Sequence, residues 1–202
     1  MILLNVYSPG MEESQTLKNI FREKAMLSDE EIEQACLHFS VETLGKNQFF
    51  LEAGQRCSRI GFLQKGILCT FVYDREGQEV VKYFVEDNQF FTDMESYEKQ
   101  RPAMLNIMAL TESRIFYITR TQKDKLEEQI PPCKTIFQSF AAQALNRMIQ
   151  TQHFLHMGTA VDQYKHFMEH HPNLAQNVPL KYIASYLGIT QSSLSRIRNQ
   201  WL

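Results

Sequence analysis

Three regions of different hydrophobic period follow one another along the chain. From Glu12 to about Phe39 apolar positions recur at helical spacing, with Leu17, Ile20 and Phe21 on one face. Ser28 followed by Glu31 is a capping box that opens a second short helix. Between about Gln48 and Ile118 the period becomes two. Ile67, Cys69, Phe71 and Tyr73 alternate with Leu68, Thr70 and Val72, Asp74 to Gly77 supplies a turn, and Glu79 to Phe84 runs back, which predicts a β-hairpin. Further short strands are predicted at Phe49 to Leu51, Arg59 to Leu63, Gln89 to Phe91, Leu105 to Ala109 and Arg114 to Ile118, with a polar stretch from Thr92 to Pro102 between the third and fourth of these. Many short strands separated by turns read as a sandwich or roll.

After Pro131-Pro132 the period changes again. Cys133, Phe137, Phe140, Ala141, Ala144, Leu145, Met148, Ile149 and Leu155 recur every three or four residues and predict one amphipathic helix of about 24 residues, roughly 36 Å long, ended by Gly158. Its wide stripe either packs on the β-roll or serves over part of its length as a self-association seam. Another helix is predicted from about Val161 to His170, where His171-Pro172-Asn173 breaks the chain.

The segment Leu180 to Asn199 has the residue types of a helix-turn-helix at the required spacing. Ala184 is small where two helices cross, Gly188 can adopt left-handed φ in the turn, and Leu194 plugs the second helix onto the first. Ile183, Leu187, Ile189 and Ile197 fill the other inward positions, and Thr190 is placed to N-cap the second helix. Gln191, Ser192, Ser195, Arg196 and Asn199 are left on the outer face; the alternative is a generic helical hairpin. Residues 159–202 carry four basic against two acidic side chains, whereas the rest of the chain carries 17 against 21, so the motif lies in the positive part of an otherwise acidic protein.

Composition removes several classes. With 202 residues, 44% apolar and 22% charged, the chain can bury a core and is neither disordered nor collagen-like, and no apolar run approaches the roughly 18 residues of a membrane span. Met1 to Gly10 makes a poor signal peptide, so the expected location is the cytoplasm. Cys36, Cys57, Cys69 and Cys133 have no metal-motif spacing and read as scattered reduced thiols.

A β-roll, one long helix and a carboxy-terminal helix-turn-helix, in that order, resemble the Crp/Fnr family of bacterial transcription regulators. The resemblance is carried by Gly54 in Glu52-Ala53-Gly54, Leu63-Gln64-Lys65-Gly66 before the hairpin, Asp74 to Gly77 at its tip, Ala109-Leu110-Thr111-Glu112-Ser113 ahead of the last strand, and Tyr182 to Thr190. It implies an α+β protein. Residues 1–130 would form a cyclic-nucleotide-binding-type jelly roll (a double-stranded β-helix) with helices before it, 131–158 a dimerisation helix, and 159–202 the DNA-binding domain. The implied partners are double-stranded DNA and a second copy of the chain, with RNA polymerase a further candidate, and the implied activity is not enzymatic. Gln191, Ser192 and Arg196 match positions that point at base edges in this family's recognition helix. Lys181, Ser193, Ser195 and Arg198 are placed for phosphate, and a solvated charge or a phosphate contact is the alternative for Arg196.

The ligand cassette departs from the family. Cyclic-AMP-binding members have Gly-Glu-Leu before a short helix and Arg-Ser-Ala after it, where this chain has Thr92-Asp93-Met94 and Arg101-Pro102-Ala103. Thr92 stands for the glycine that lets backbone approach the ligand. Asp93 is a methylene short, and Pro102 has no N–H. Aligned through Ala109, Ala103 falls at the arginine position. These six residues are the candidate pocket, with no tight cyclic AMP binding expected and another small ligand or none in its place. An iron–sulfur sensor is disfavoured because Cys36 stands alone near the amino terminus. A metal-dependent jelly-roll enzyme of cupin type is the alternative from a different class, yet all six histidines (His38, His153, His156, His166, His170 and His171) lie outside the predicted roll. A sensor or interaction module without DNA binding is the third reading. The pairs His153/His156 and His166/His170 have metal-compatible helical spacing but read as solvated, so neither a metal nor a cofactor is expected.

Overall fold

The computed structural model describes residues 15–24, 26–155 and 158–200, so the readings of Met1 to Gly10 and of His156 fall outside the described residues. Helices α1 (Gln15–Lys24) and α2 (Asp29–Leu37) precede the roll, and α2 starts at the expected box: Ser28 Oγ accepts from the Glu31 N–H while the Glu31 carboxylate accepts from the Ser28 N–H. Eight strands follow: β1 (Ser40–Leu44), β2 (Phe49–Leu51), β3 (Arg59–Lys65), β4 (Leu68–Tyr73), β5 (Glu79–Val85), β6 (Gln89–Phe91), β7 (Asn106–Ala109) and β8 (Ser113–Thr119). They pair antiparallel in two four-stranded sheets, β1-β8-β3-β6 and β2-β7-β4-β5. The β4–β5 hairpin closes at Asp74 to Gly77, with the Asp74 carboxylate accepting from the Glu76 and Gln78 N–H groups. Strand β1 and helices α3 (Met94–Lys99), α4 (Arg120–Gln129) and α7 (Pro172–Asn177) are additions to the expected elements. At α7, Pro172 begins a new helix rather than only ending the previous one, since proline is compatible with a first helical turn.

Gly66, between β3 and β4, has φ of +123°, and a Cβ there would sit 2.4 Å from Ser113 Oγ and 2.8 Å from Ser113 Cα. The chain passes too close to the start of β8 for any side chain.

The two sheets enclose a first hydrophobic cluster that includes Phe62, Leu63, Ile107, Ile115 and Phe116, capped by Leu17 and Phe21 of α1 and by Leu126 of α4. Beside it lies an ion pair whose carboxylate is buried and whose guanidinium is partly exposed. Arg59 Nη1 lies 3.0 Å from Glu42 Oε2 and Nη2 donates to the Phe50 carbonyl, while the guanidinium covers the Phe50 ring at 4.0 Å. Burial pushes the Glu42 carboxyl above the usual range, an effect that Arg59 opposes.

Helix α5 (Pro132–Leu155) packs on the roll through its first turns. Cys133, Ile136 and Phe137 are buried against the roll and Phe140 stacks on Phe90 at 3.9 Å, whereas Leu145, Met148 and Ile149 are exposed. The last elements are α6 (Ala160–His170), α7, α8 (Leu180–Tyr186) and α9 (Gln191–Asn199). Their buried residues form a second cluster with Ile67, Cys69, Phe71, Val81, Met108 and Leu110 from the other face of the β2-β7-β4-β5 sheet.

All four cysteines are free and buried, and burial lifts the Cys36 thiol to about 11 and Cys133 to about 12. Neither of these two raised thiols is a ready nucleophile.

Candidate functional site

Two regions gather the residues singled out by sequence. The first is α8, its turn and α9. Tyr182, Ile183 and Ala184 are buried, and Gly188 turns the chain with φ of 69°, a left-handed conformation suited to glycine. The Ile189 N–H returns to the Ala184 carbonyl at 3.0 Å. Thr190 caps α9 as expected, its Oγ1 accepting from the Ser193 N–H at 3.1 Å. Leu194 and Ile197 are buried beneath the helix, so Gln191, Ser192, Ser195 and Arg196 are presented outward, with Ser193 and Arg198 half-buried. Arg196 and Arg198 make no ion pair among the described residues. Such a face offers amide, hydroxyl and guanidinium groups on a rigid rod to a polar, anionic partner.

Lys181 is placed differently from its neighbours. Its Nζ lies 3.0 Å from Glu79 Oε2 on β5 and 4.3 Å from the centre of the Tyr182 ring. Hydrogen bonding to Glu79, then to Tyr182, raises its pKa above the ordinary lysine value. One turn on, Ser185 Oγ accepts from the Val81 N–H and donates to the Glu79 carbonyl, both at 3.0 Å. Sequence reasoning had no means of pairing α8 with β5, about 100 residues away.

The second region is a cavity of about 1210 Å³ bounded by β5, β6, the start of α3, the later turns of α5, and α6. Thr92, Asp93, Met94, Arg101 and Pro102 line it, but Ala103 does not: it is buried behind the wall, its N–H donating to the Gln55 carbonyl and its carbonyl accepting from the Gly54 N–H. The Thr92 and Asp93 side chains are also committed. Thr92 Oγ1 donates to the Arg59 carbonyl at 3.0 Å. Asp93 is buried and accepts from the Ser96 N–H as the N-cap of α3. Ser96 Oγ donates to the Arg101 carbonyl, and the Arg101 side chain is exposed. No cradle of free N–H groups faces the cavity from Pro102-Ala103.

Across the cavity stand Arg147, to which the sequence assigned no role, and His166 and His170, whose spacing read as that of solvated side chains. Arg147 of α5 lies on the wall, three residues after Ala144 and so on the same helical face; that lone basic residue within the apolar stripe was the available signal. Phe154, His166 and His170 stack in series at 3.9 and 3.8 Å. Burial, and then electrostatic repulsion from His170, holds His166 below the ordinary imidazole value. His171 Nδ1 is 2.7 Å from Glu86 Oε1, a second polar link from α6 and α7 to the roll. Among the described residues no group of three or more His, Cys, Asp or Glu side chains could hold a metal ion, and no helix is long and apolar enough to cross a membrane.

Residues 41–129 match the family model of the cyclic nucleotide-binding domain. No curated protein sequence matches the chain. Solved structures with the same fold include FixK2 from Bradyrhizobium japonicum, with TM-score 0.69 and 15% identity over 80% of this chain and 83% of that one. The c-di-GMP-responsive global regulator CLP of Xanthomonas campestris has TM-score 0.69 and 13% identity over 86% of this chain and 91% of its own. A putative transcriptional regulator of the Crp/Fnr family from Eubacterium rectale has TM-score 0.69 and 13% identity over 91% and 87%.

Proposed function

We propose that the protein is a DNA-binding transcription regulator of Crp/Fnr type that acts as a homodimer, with residues 1–130 sensing, 131–158 dimerising and 159–202 contacting DNA. The observation that carries this reading is the outward face of α9: Gln191, Ser192 and Arg196 are exposed on a helix whose opposite face is locked down by Leu194 and Ile197. A helix of this kind fits the B-DNA major groove, and two of them about 34 Å apart read a two-fold half-site pair. Exposed Leu145, Met148 and Ile149 on α5 are the apolar surface that a second copy would cover.

A binding-site selection tests the assignment. A guanidinium that bonds guanine through O6 and N7 is worth about 1–3 kcal/mol of discrimination. Arg196→Ala should therefore relax preference at one base pair per half-site by roughly five- to 150-fold, whereas Arg198→Ala should weaken all duplexes alike and reduce the salt dependence by about one unit. A consensus left intact by Arg196→Ala, with only overall affinity lowered, would assign Arg196 to the backbone. No retarded complex with any genomic fragment would end the DNA-binding reading.

Cyclic AMP is not the effector in this reading, because Asp93 is spent on capping α3 and the Ala103 N–H on Gln55. A charge-assisted phosphate contact is worth about 1.5–3 kcal/mol, and losing several removes useful affinity. Calorimetric titration with sub-millimolar cyclic AMP should give no binding isotherm; a micromolar dissociation constant would reverse the conclusion.

A further inference from the structure

Strand β5 ends its sheet, and its outer edge would be left with unpaired N–H and C=O groups. The structure instead places α8 against that edge. The Val81 N–H and the Glu79 C=O, two residues apart and so on the same side of the strand, are both satisfied by Ser185 Oγ at 3.0 Å. The Glu79 side chain reaches Lys181 Nζ, and Phe84 lies against Tyr186 at 5.3 Å between centroids. One helical face thus presents Lys181 and Ser185, at i and i+4, to a strand edge and its carboxylate. Lys181 is also the α8 residue placed for a DNA phosphate.

We propose that β5 is an intramolecular dock for α8 in which the Glu79 carboxylate stands where a DNA phosphate would be, so that the roll and the DNA backbone compete for Lys181. This rests on the DNA-binding reading and adds its regulation. A phosphate approaching Lys181 meets the Glu79 carboxylate 3.0 Å from the same ammonium, and the repulsion between the two anions discounts the contact. The reading face of α9 stays exposed while α8 is docked, so the dock trims affinity rather than abolishing it. Any movement of β5 would change how strongly the protein holds DNA without touching a base contact.

The experiment has two arms. In the first, the full chain is titrated with the duplex recovered by selection, and with sheared calf-thymus DNA as a non-specific duplex, at several salt concentrations. Glu79→Gln should tighten both complexes by about two- to fivefold, the scale of an exposed ion pair, and steepen the salt dependence by about one unit. Glu76→Gln, on the same hairpin but bonded to Gln78 rather than to α8, should do less, and Glu79→Gln should have no effect in a Lys181→Ala background. Equal gains from both glutamate variants, or a gain that survives Lys181→Ala, would reduce the effect to net charge and overturn the competition. The second arm needs no DNA: amide hydrogen exchange should show Val81 protected in the free protein and deprotected by Ser185→Ala. Unchanged Val81 exchange would overturn the dock itself. If no variant binds either duplex, the competition falls together with the DNA-binding reading, and the exchange data alone report whether α8 docks.

Discussion

Arg59→Met is expected to destabilise the protein by about 3 kcal/mol at neutral pH, because removing one partner of a buried ion pair leaves the other charge uncompensated. The low end of the usual range applies, since the Arg59 side chain keeps 25% of its surface exposed. For a chain of this size that is a fall of about 6–12 °C in melting temperature. Methionine keeps the apolar stem over Phe50, so the loss reports chiefly on charge and hydrogen bonds: the contact to Glu42 and the bond to the Phe50 carbonyl. Glu42 Oε1 is buried with no hydrogen-bond partner even in the intact pair, so the carboxylate depends on Arg59. The pH dependence has a definite sign. Burial already raises the Glu42 pKa in the folded state, and without Arg59 it rises further. A carboxyl with a raised folded pKa favours folding below its unfolded value and loses that contribution as pH climbs through the folded value. The deficit of Arg59→Met should therefore shrink in acid and be largest at pH 7. Urea unfolding of Arg59→Met and of Glu42→Gln/Arg59→Met checks the cause. A double variant no more stable than the single one would refute the charge account.

Gly66→Ala is expected to cost about 2–4 kcal/mol, combining backbone strain with overpacking. At φ of +123° an L side chain is strained whatever the space, and the new methyl also overlaps Ser113. The two causes separate in a Ser113→Gly background. Removing the hydroxymethyl group relieves the contacts to Oγ at 2.4 Å and Cβ at 2.8 Å but leaves the 2.8 Å approach to Cα and the dihedral, so less than half of the loss should return. Full recovery in thermal unfolding would mean that the Ser113 side chain alone, and not the dihedral, excludes a side chain at Gly66.

The elements that escaped the sequence reading each had a local reason. Glu42 is a buried acid in the middle of β1, so Val41-Glu42-Thr43 shows no inward apolar alternation; only Arg59, 17 residues later, makes that position tolerable. Asp93 caps α3, but the polar run that follows looks like a loop because the helix is only six residues long. Helix α4 did carry a signal, the Thr119 and Gln122 capping box, masked by an uninterrupted charged face with Leu126 its one buried residue. The α8–α9 motif was legible because its turn and cap are local: Gly188 turns the chain, the Ile189 N–H returns to the Ala184 carbonyl, and Thr190 caps α9, whereas the sheet residues that complete its core lie far away in sequence. The cavity was half legible: the cassette wall follows from residue types, whereas Arg147 and the stacked histidines enter it only through the path of α5 and α6.

The sheet β2-β7-β4-β5 is apolar on both faces, with Leu68, Ile107 and Ala109 turned to the first cluster and Cys69, Phe71 and Met108 to the second. Its outer face is solvent-proof only while the carboxy-terminal helices cover it, and those helices complete their own interior only by borrowing the sheet. Each half is thus part of the other's solvent, in the sense that unfolding either one transfers apolar surface of its neighbour into water. Detaching the helices therefore carries a hydration cost, and any signal that moves them relative to the roll must be bound tightly enough to meet it.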